Sequence, residues 1–238
     1  MSALYALEIG ERSESVWRVP GGLLSALSPE ALRAFENAKH TSSYPPGAVL
    51  FLEAQDSNEV FLLSKGRVKL TMTGSDAKSI ILRIAEPGEL IGLEAAMVGK
   101  PSTMTAETFD PCVVHVIKRD TLRSLMQRHS DLCMSVTEQL SNQYRSACSH
   151  IRSLGLYRTA SEKIVHFLLE WATKGRQTDE GLRVNIPLKH EEIAQIVGVS
   201  RETVTRTLTE LRHKSLITTR GPAVLIHDKS ALQALAVA

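Results

Sequence analysis

The chain has 238 residues, 43% of them hydrophobic and 23% charged, enough apolar material for one large core or two modest ones. Net charge is +2, and no apolar run approaches the roughly 20 residues that span a bilayer, so the expectation is a soluble, cytoplasmic protein with no membrane partner. Residues 1–10 lack a basic stretch followed by a long apolar core, which argues against a secretory signal. Cys112, Cys133 and Cys148 are odd in number and widely spaced, forming neither a disulfide framework nor a zinc knuckle. Charge is unevenly placed: from Tyr157 onward 12 Lys and Arg face 9 Asp and Glu, and the rest is slightly acidic. The last third is therefore the better polyanion contact, although so small an excess does not establish one.

Residues 1–20 carry little structural signal. Ser28 followed by Pro29 reads as the cap and first position of a short helix over 28–37. Strand patterns follow at 48–52, 59–64, 67–73, 78–85, 103–108 and 112–117, punctuated by Gly47, Gly66, Gly74, Gly88 and Gly92. That spacing predicts an antiparallel sandwich or barrel. A long helix begins near Asp120. Along it Cys133, Thr137, Leu140, Tyr144, Ala147, Ile151 and Leu154 recur at alternating steps of four and three, the rhythm of a dimer seam; the other reading is a helix lying on its own core. Gly155 interrupts the helix. A second helix over 157–172 puts Ile164, Phe167, Leu168 and Trp171 on one face, a polar loop fills 174–181, and a small strand covers 182–186.

The stretch from Lys189 to Arg212 is the most informative. It predicts two short helices joined by a tight turn at Gly198. The first buries Ile193, Ala194 and Val197; the second buries Val204, Leu208 and Leu211. Ser200 stands at the N-cap of the second. Arg201, Glu202 and Arg206 project from its start, off the buried stripe, where Arg can donate two hydrogen bonds to guanine and Glu can accept from the cytosine amino group. Residues 216–219 and 223–226 read as a hairpin around Arg220-Gly-Pro222, the wing of a winged helix.

This order resembles the cAMP receptor protein/FNR (Crp/Fnr) family of bacterial transcription regulators over about residues 28–228. The residues that carry the resemblance are Ile193-x-x-Ile-Val-Gly198-x-Ser200-Arg-Glu-Thr-Val204-x-Arg206, with Pro46-Gly47, Lys65-Gly66-x-Val68 and Pro87-Gly88-Glu-Leu-Ile-Gly92. It implies an α+β chain in three parts: an antiparallel β-roll (a double-stranded β-helix of the cyclic nucleotide-binding kind) over 1–118, a long dimerisation helix over 119–156, and a winged helix-turn-helix over 157–238. It implies a homodimer whose Arg201, Glu202 and Arg206 read a palindromic, TGTGA-like operator. Ser200, Thr203, Lys189 and His190 fall where relatives touch phosphates. The seam would comprise Thr137, Leu140, Tyr144, Ala147, Ile151 and Leu154. RNA polymerase is the implied partner, through the loop at 174–181.

The pattern departs from the family at the effector. Relatives that bind cAMP use a Glu just after the Gly-x-x-x-Gly turn and an Arg-Ser pair farther on. Here the Glu is shifted by one, to Glu94, the pair falls on Ser102 and Thr103, and no arginine lies between Gly92 and Thr108. A buried phosphate left without a partner charge is costly. These departures argue against cAMP. The absence of cysteine before Cys112 argues against an iron–sulfur cluster, and the lack of a motif around His115, His129 and His150 argues against haem. Glu94, Ser102, Thr103 and Tyr144 remain candidates for an effector pocket of unknown ligand. A rival class is a cupin-like enzyme or small-molecule sensor whose helical domain does not bind DNA. It lacks clustered His and Glu on the predicted strands, and no nucleophile–base pair appears, so no enzyme activity is expected.

Overall fold

The computed structural model describes residues 21–236. The sequence readings for residues 1–20 lie outside them. The chain divides into two compact units, Met1–Arg145 and Ser146–Ala238.

In the first unit, α1 (Pro29–Ala38) opens where the Ser28 hydroxyl accepts from the Ala31 amide, with Pro29 at a position that needs no amide. Eight strands follow: β1 (His40–Tyr44), β2 (Val49–Phe51), β3 (Glu59–Lys65), β4 (Val68–Thr73), β5 (Ser79–Ala85), β6 (Leu90–Ile91) and, after the short helix α2 (Leu93–Val98), β7 (Thr105–Thr108) and β8 (Cys112–Lys118). They form two antiparallel sheets, in the orders β1-β8-β3-β6 and β2-β7-β4-β5. Between them lies a core that includes Phe51, Phe61, Leu63, Leu70, Ile91 and Val114. The turn between β3 and β4 requires glycine: Gly66 has φ +87°, and a Cβ there would lie 2.6 Å from both the Cys112 sulfur and the Pro111 carbonyl.

The stretch expected as one long helix over 119–156 is two: α3 (Arg119–Arg128) and α4 (Ser130–Leu156), with His129 extended between them. The Asp131 carboxylate explains the break. It accepts from the Leu132 amide at 2.9 Å and the Ser28 amide at 2.6 Å, pinning the start of α4 to the start of α1. Those bonds, that from Ser28 first, hold its carboxyl below the usual carboxylate range. Leu122 and Leu125 of α3 and Leu132 and Val136 of α4 enter one cluster with Phe35. Their apolar spacing runs straight through the break, so periodicity could not detect it.

Gly155, expected to interrupt the helix, lies inside α4, with nothing within 4 Å of where its Cβ would be. In the second unit, α5 (Ala160–Ala172) begins three residues later than expected. Thr159 accepts from the Glu162 amide, and Glu162 accepts from the Thr159 amide, a reciprocal cap that fixes the start. The loop expected over 174–181 contains β9 (Arg176–Thr178), which pairs with β10 (Gly181–Asn185). Then come α6 (His190–Val197), α7 (Arg201–His213), β11 (Ile217–Arg220), β12 (Ala223–Ile226) and α8 (Lys229–Leu235). The sheet order is β11-β12-β10-β9, and the core of this unit unites Ile164, Leu168, Val184, Ile193, Val204 and Leu208. This is a winged helix-turn-helix.

Candidate nucleic-acid interface

The turn between α6 and α7 is built by Gly198, whose φ of 68° and ψ of 45° lie in the left-handed region. The amides of Gly198 and Val199 both donate to the Ala194 carbonyl, at 2.9 and 3.1 Å, closing the end of α6. Two residues on, the Ser200 hydroxyl accepts from the Thr203 amide at 3.2 Å and starts α7. Ile193, Ala194 and Val197 of α6 meet Val204, Leu208 and Leu211 of α7 in the core, as the spacing predicts, and Thr207 is buried as well.

Burying that stripe leaves the opposite face of α7 outside. Arg201, Glu202, Thr205 and Arg206 are all exposed. The Glu202 carboxyl is held below its usual range by its own backbone amide first and then by the Ser200 hydroxyl, so it stays ionised and acts only as an acceptor. Two guanidinium forks and one carboxylate, on a rigid capped helix, match the donors and acceptors that guanine and cytosine present in the major groove.

Of the four residues expected at phosphates, Ser200 and Lys189 are exposed and Thr203 and His190 half-buried. Ser200 is committed to its cap, with its hydroxyl 3.0 Å from that of Thr203. The Lys189 backbone amide donates to Glu192 at 2.6 Å, at the start of α6. Nδ1 of His190 lies 2.8 Å from the Thr205 hydroxyl. That link, and the bond from Arg212 Nη2 to the Thr209 hydroxyl at 2.8 Å, were missed from sequence. Arg212 Nη1 also lies 3.5 Å from the Thr219 hydroxyl on β11. Only the four-residue spacing of the threonines hinted at them.

In the first unit, Glu94, Ser102 and Thr103 come together. Glu94 Oε1 lies 3.0 Å from the Ser102 hydroxyl, 3.2 Å from the Thr103 amide and 3.4 Å from the Thr103 hydroxyl. Ser102 is buried. Tyr144 stands on α4 and is 72% exposed. The turn that precedes Glu94 is clamped from α4: the Gln139 amide donates to the Leu90 carbonyl at 2.7 Å and accepts from the Leu90 amide at 2.9 Å. Nothing in the sequence signalled Gln139.

Two family models match the chain: the cyclic nucleotide-binding domain over residues 41–129 and the Crp-like helix-turn-helix domain over residues 162–235. The chain belongs to the Crp/Fnr family of transcription regulators. It is similar to the CRP-like cAMP-activated global transcriptional regulator of Mycobacterium tuberculosis, 27% identical over 212 residues, covering 89% of this chain and 94% of that protein. The transcriptional activatory protein AadR of Rhodopseudomonas palustris is 26% identical over 231 residues, covering 96% of this chain and 95% of its own. The fold matches FixK2 of Bradyrhizobium japonicum with a TM-score of 0.71 at 23% identity, over 84% of this chain and 98% of that one. The protein is thus a DNA-binding transcription regulator, of a family of regulators rather than enzymes. Among the described residues, no helix is long and apolar enough to cross a membrane.

The expected seam of this Crp/Fnr chain is unequally open. In the first unit, Thr137 and Tyr144 are exposed, whereas Leu140 packs against the helical core. In the second, Ile151 is 66% exposed and Ala147 half-buried. Leu154 is half-buried, with Cδ2 2.7 Å from the Cβ position of Gly198, so it already serves the helix-turn-helix. The cysteines have separate surroundings. Cys112 is buried in the β-roll, where desolvation pushes its thiol up, while Cys148 is exposed on α4. His115 is buried on β8, its Nδ1 2.9 Å from the Thr41 hydroxyl and 3.4 Å from the Lys39 ammonium.

Proposed function

We propose that this regulator works in the cytoplasm as a homodimer on a palindromic, TGTGA-like operator, with Arg201, Glu202 and Arg206 reading bases. The observation that carries the reading is the outward face of α7: all three side chains are exposed at the head of a capped helix whose other face is fully committed to the core. Thr203, Ser200, Lys189 and His190 flank that face and set its register against phosphates, which by themselves carry no sequence information. The exposed Tyr144 and Ile151 supply apolar area for a second copy of α4. Two-fold symmetry then demands two half-sites about one helical turn apart. The β9–β10 hairpin is the proposed contact with RNA polymerase.

The β-roll is not, on this reading, a cAMP site. A cyclic phosphate needs donors, but those of Thr103 already face the Glu94 carboxylate, and the one proton of the Ser102 hydroxyl lies between Glu94 at 3.0 Å and the Met104 carbonyl at 2.9 Å. A phosphate placed there would meet a second anion with no arginine between Gly92 and Thr108.

Replacing Arg201 or Arg206 by alanine should weaken specific binding by about 1–3 kcal/mol each, while binding to random duplex changes much less. A gel-shift series on both duplexes measures this. Equal losses on the two would refute base reading by these arginines.

A further inference from the structure

Between α7 and the wing, the second unit contains a half-open cavity of 130 Å³. Apolar side chains from separate parts of the chain line it: Leu168 of α5, Ile186 just after β10, Ile193 of α6, Leu208 of α7 and Val224 of β12, all of them buried. A water held there needs two to four polar partners, and these five side chains offer none. An apolar cavity of about 150 Å³ is known to take a benzene ring, so a space of this size and lining suits a compact apolar group.

The rim has the opposite character. Arg212 stands one turn after Leu208 on α7 and is exposed, and Thr219 is the cross-strand partner of the buried Val224. The Arg212 guanidinium meets two neutral hydroxyls, that of Thr209 at 2.8 Å and that of Thr219 at 3.5 Å. A guanidinium has five N–H donors, so others are left for a ligand. Its planar fork suits a carboxylate, which it can hold through two parallel bonds. His190, at the start of α6, also lines the cavity.

We propose that this cavity binds a small organic carboxylate carrying one ring or a short branched chain, its apolar body among Leu168, Ile193 and Val224 and its charge on Arg212. Such a ligand acts on the DNA-binding unit directly, without a signal from the β-roll. It neutralises Arg212 and brings a negative charge to a cavity shared by α6 and α7, and so lowers affinity for a polyanion. The effect on DNA rests on the outer face of α7 meeting the duplex; occupancy of the cavity does not.

Benzoate is the probe, titrated into full-length protein labelled at its isoleucine methyls. The Ile186 and Ile193 signals should shift and saturate with a dissociation constant of roughly 1 mM or tighter, ordinary for so small a ligand. Ile81 and Ile117 of the β-roll should not move. Benzamide, the same ring without the charge, should bind about fivefold more weakly, the yield of one exposed ion pair. Arg212→Gln should bring benzoate down to the affinity of benzamide and leave benzamide as it was. Val224→Phe fills the space and should remove binding of both; the surface variant Arg212→Gln decides the matter alone if that core variant does not fold. In gel shifts at constant ionic strength, on an operator selected from random duplexes, benzoate that saturates the wild type should weaken its DNA binding about threefold and leave Arg212→Gln nearly unaffected. Absent or unsaturable shifts at Ile186 and Ile193, equal shifts in the β-roll, or equal affinity for benzoate and benzamide would overturn the site. Saturation with DNA affinity unchanged would overturn the effect on DNA alone, and selection that yields no palindromic motif would instead strike at the underlying reading of α7.

Discussion

Replacing Gly198 by alanine tests the turn that joins α6 to α7. Gly198 has φ 68°, a left-handed conformation that costs an L-residue with a Cβ roughly 1–2 kcal/mol. The new Cβ would also lie 2.7 Å from Leu154 Cδ2, well inside the optimum of about 3.5–4.0 Å, so the leucine must give way. Against this, alanine narrows the unfolded ensemble and returns about 0.4–1 kcal/mol. The backbone share alone nets about 0–1.6 kcal/mol, and the Leu154 conflict brings the expected loss to about 1–2 kcal/mol, in the unit that contains α6 and α7. Hydrogen exchange reads it directly: the slowest amides of α6 and α7 should exchange about tenfold faster, since 1.4 kcal/mol is a factor of ten. Amides of β3 and β8, in the other unit, should be unaffected. Gly198→Asn separates the two causes, because asparagine tolerates the left-handed region but carries the same Cβ. It should recover most of the backbone share and keep the Leu154 conflict, which Leu154→Ala then relieves. Wild-type exchange in Gly198→Ala would refute the strain argument.

Burial first, and the Lys39 charge second, push His115 from 6.5 down to about 4. The folded state therefore binds fewer protons than the unfolded one between those values, so stability is full above about pH 6.5 and falls as pH drops toward 4, by about 3 kcal/mol in all. Urea midpoints from pH 7.5 to 4.5 should fall less steeply in His115→Gln; equal slopes would show that His115 does not titrate in this way. Ser200→Ala removes the α7 cap and should lower the stability of the second unit by about 1 kcal/mol. It should also raise the Glu202 pKa, since the hydroxyl helps to hold that carboxyl ionised; an NMR titration that finds Glu202 unmoved would discount the contact. Ile151→Glu places a charge on the exposed apolar face of α4 in both copies. Losing two buried isoleucines at about 1.5–3 kcal/mol each should weaken dimerisation more than a hundredfold. Sedimentation at micromolar concentration should then find monomers of the variant and dimers of the wild type, and dimers of both would remove Ile151 from the seam.

What could be read from sequence was what local geometry dictates. The head of α7 follows from a left-handed glycine, a serine cap and a 3.6-residue apolar stripe, all within 24 residues, so Arg201, Glu202 and Arg206 could be placed outside from sequence alone. The strands with apolar alternation were visible for the same reason. β1 was not, because His40–Tyr44 is polar and half-exposed and belongs to the sheet only through its register with β8. The break at His129 was hidden because the carboxylate that explains it reaches Ser28, 103 residues away.

The same division explains why the two ends of this regulator are legible to such different degrees. Base reading needs side chains displayed on one helix, and a helix displays them by rules that hold in any context. A sensor pocket needs groups from distant parts of the chain to converge. Here the groups that converge are Glu94 with Ser102 and Thr103, and Gln139 with Leu90 49 residues away, and no pattern of apolar spacing marks any of them. The carboxylate is moreover one residue out of step with the family motif, and that displacement goes with its occupation of the Ser102 and Thr103 donors. A one-residue shift on a short helix turns a side chain by about 100°, enough to change which groups it meets. The departure from the motif is thus visible twice, first in the sequence and then in the hydrogen bonds that Glu94 makes with Ser102 and Thr103.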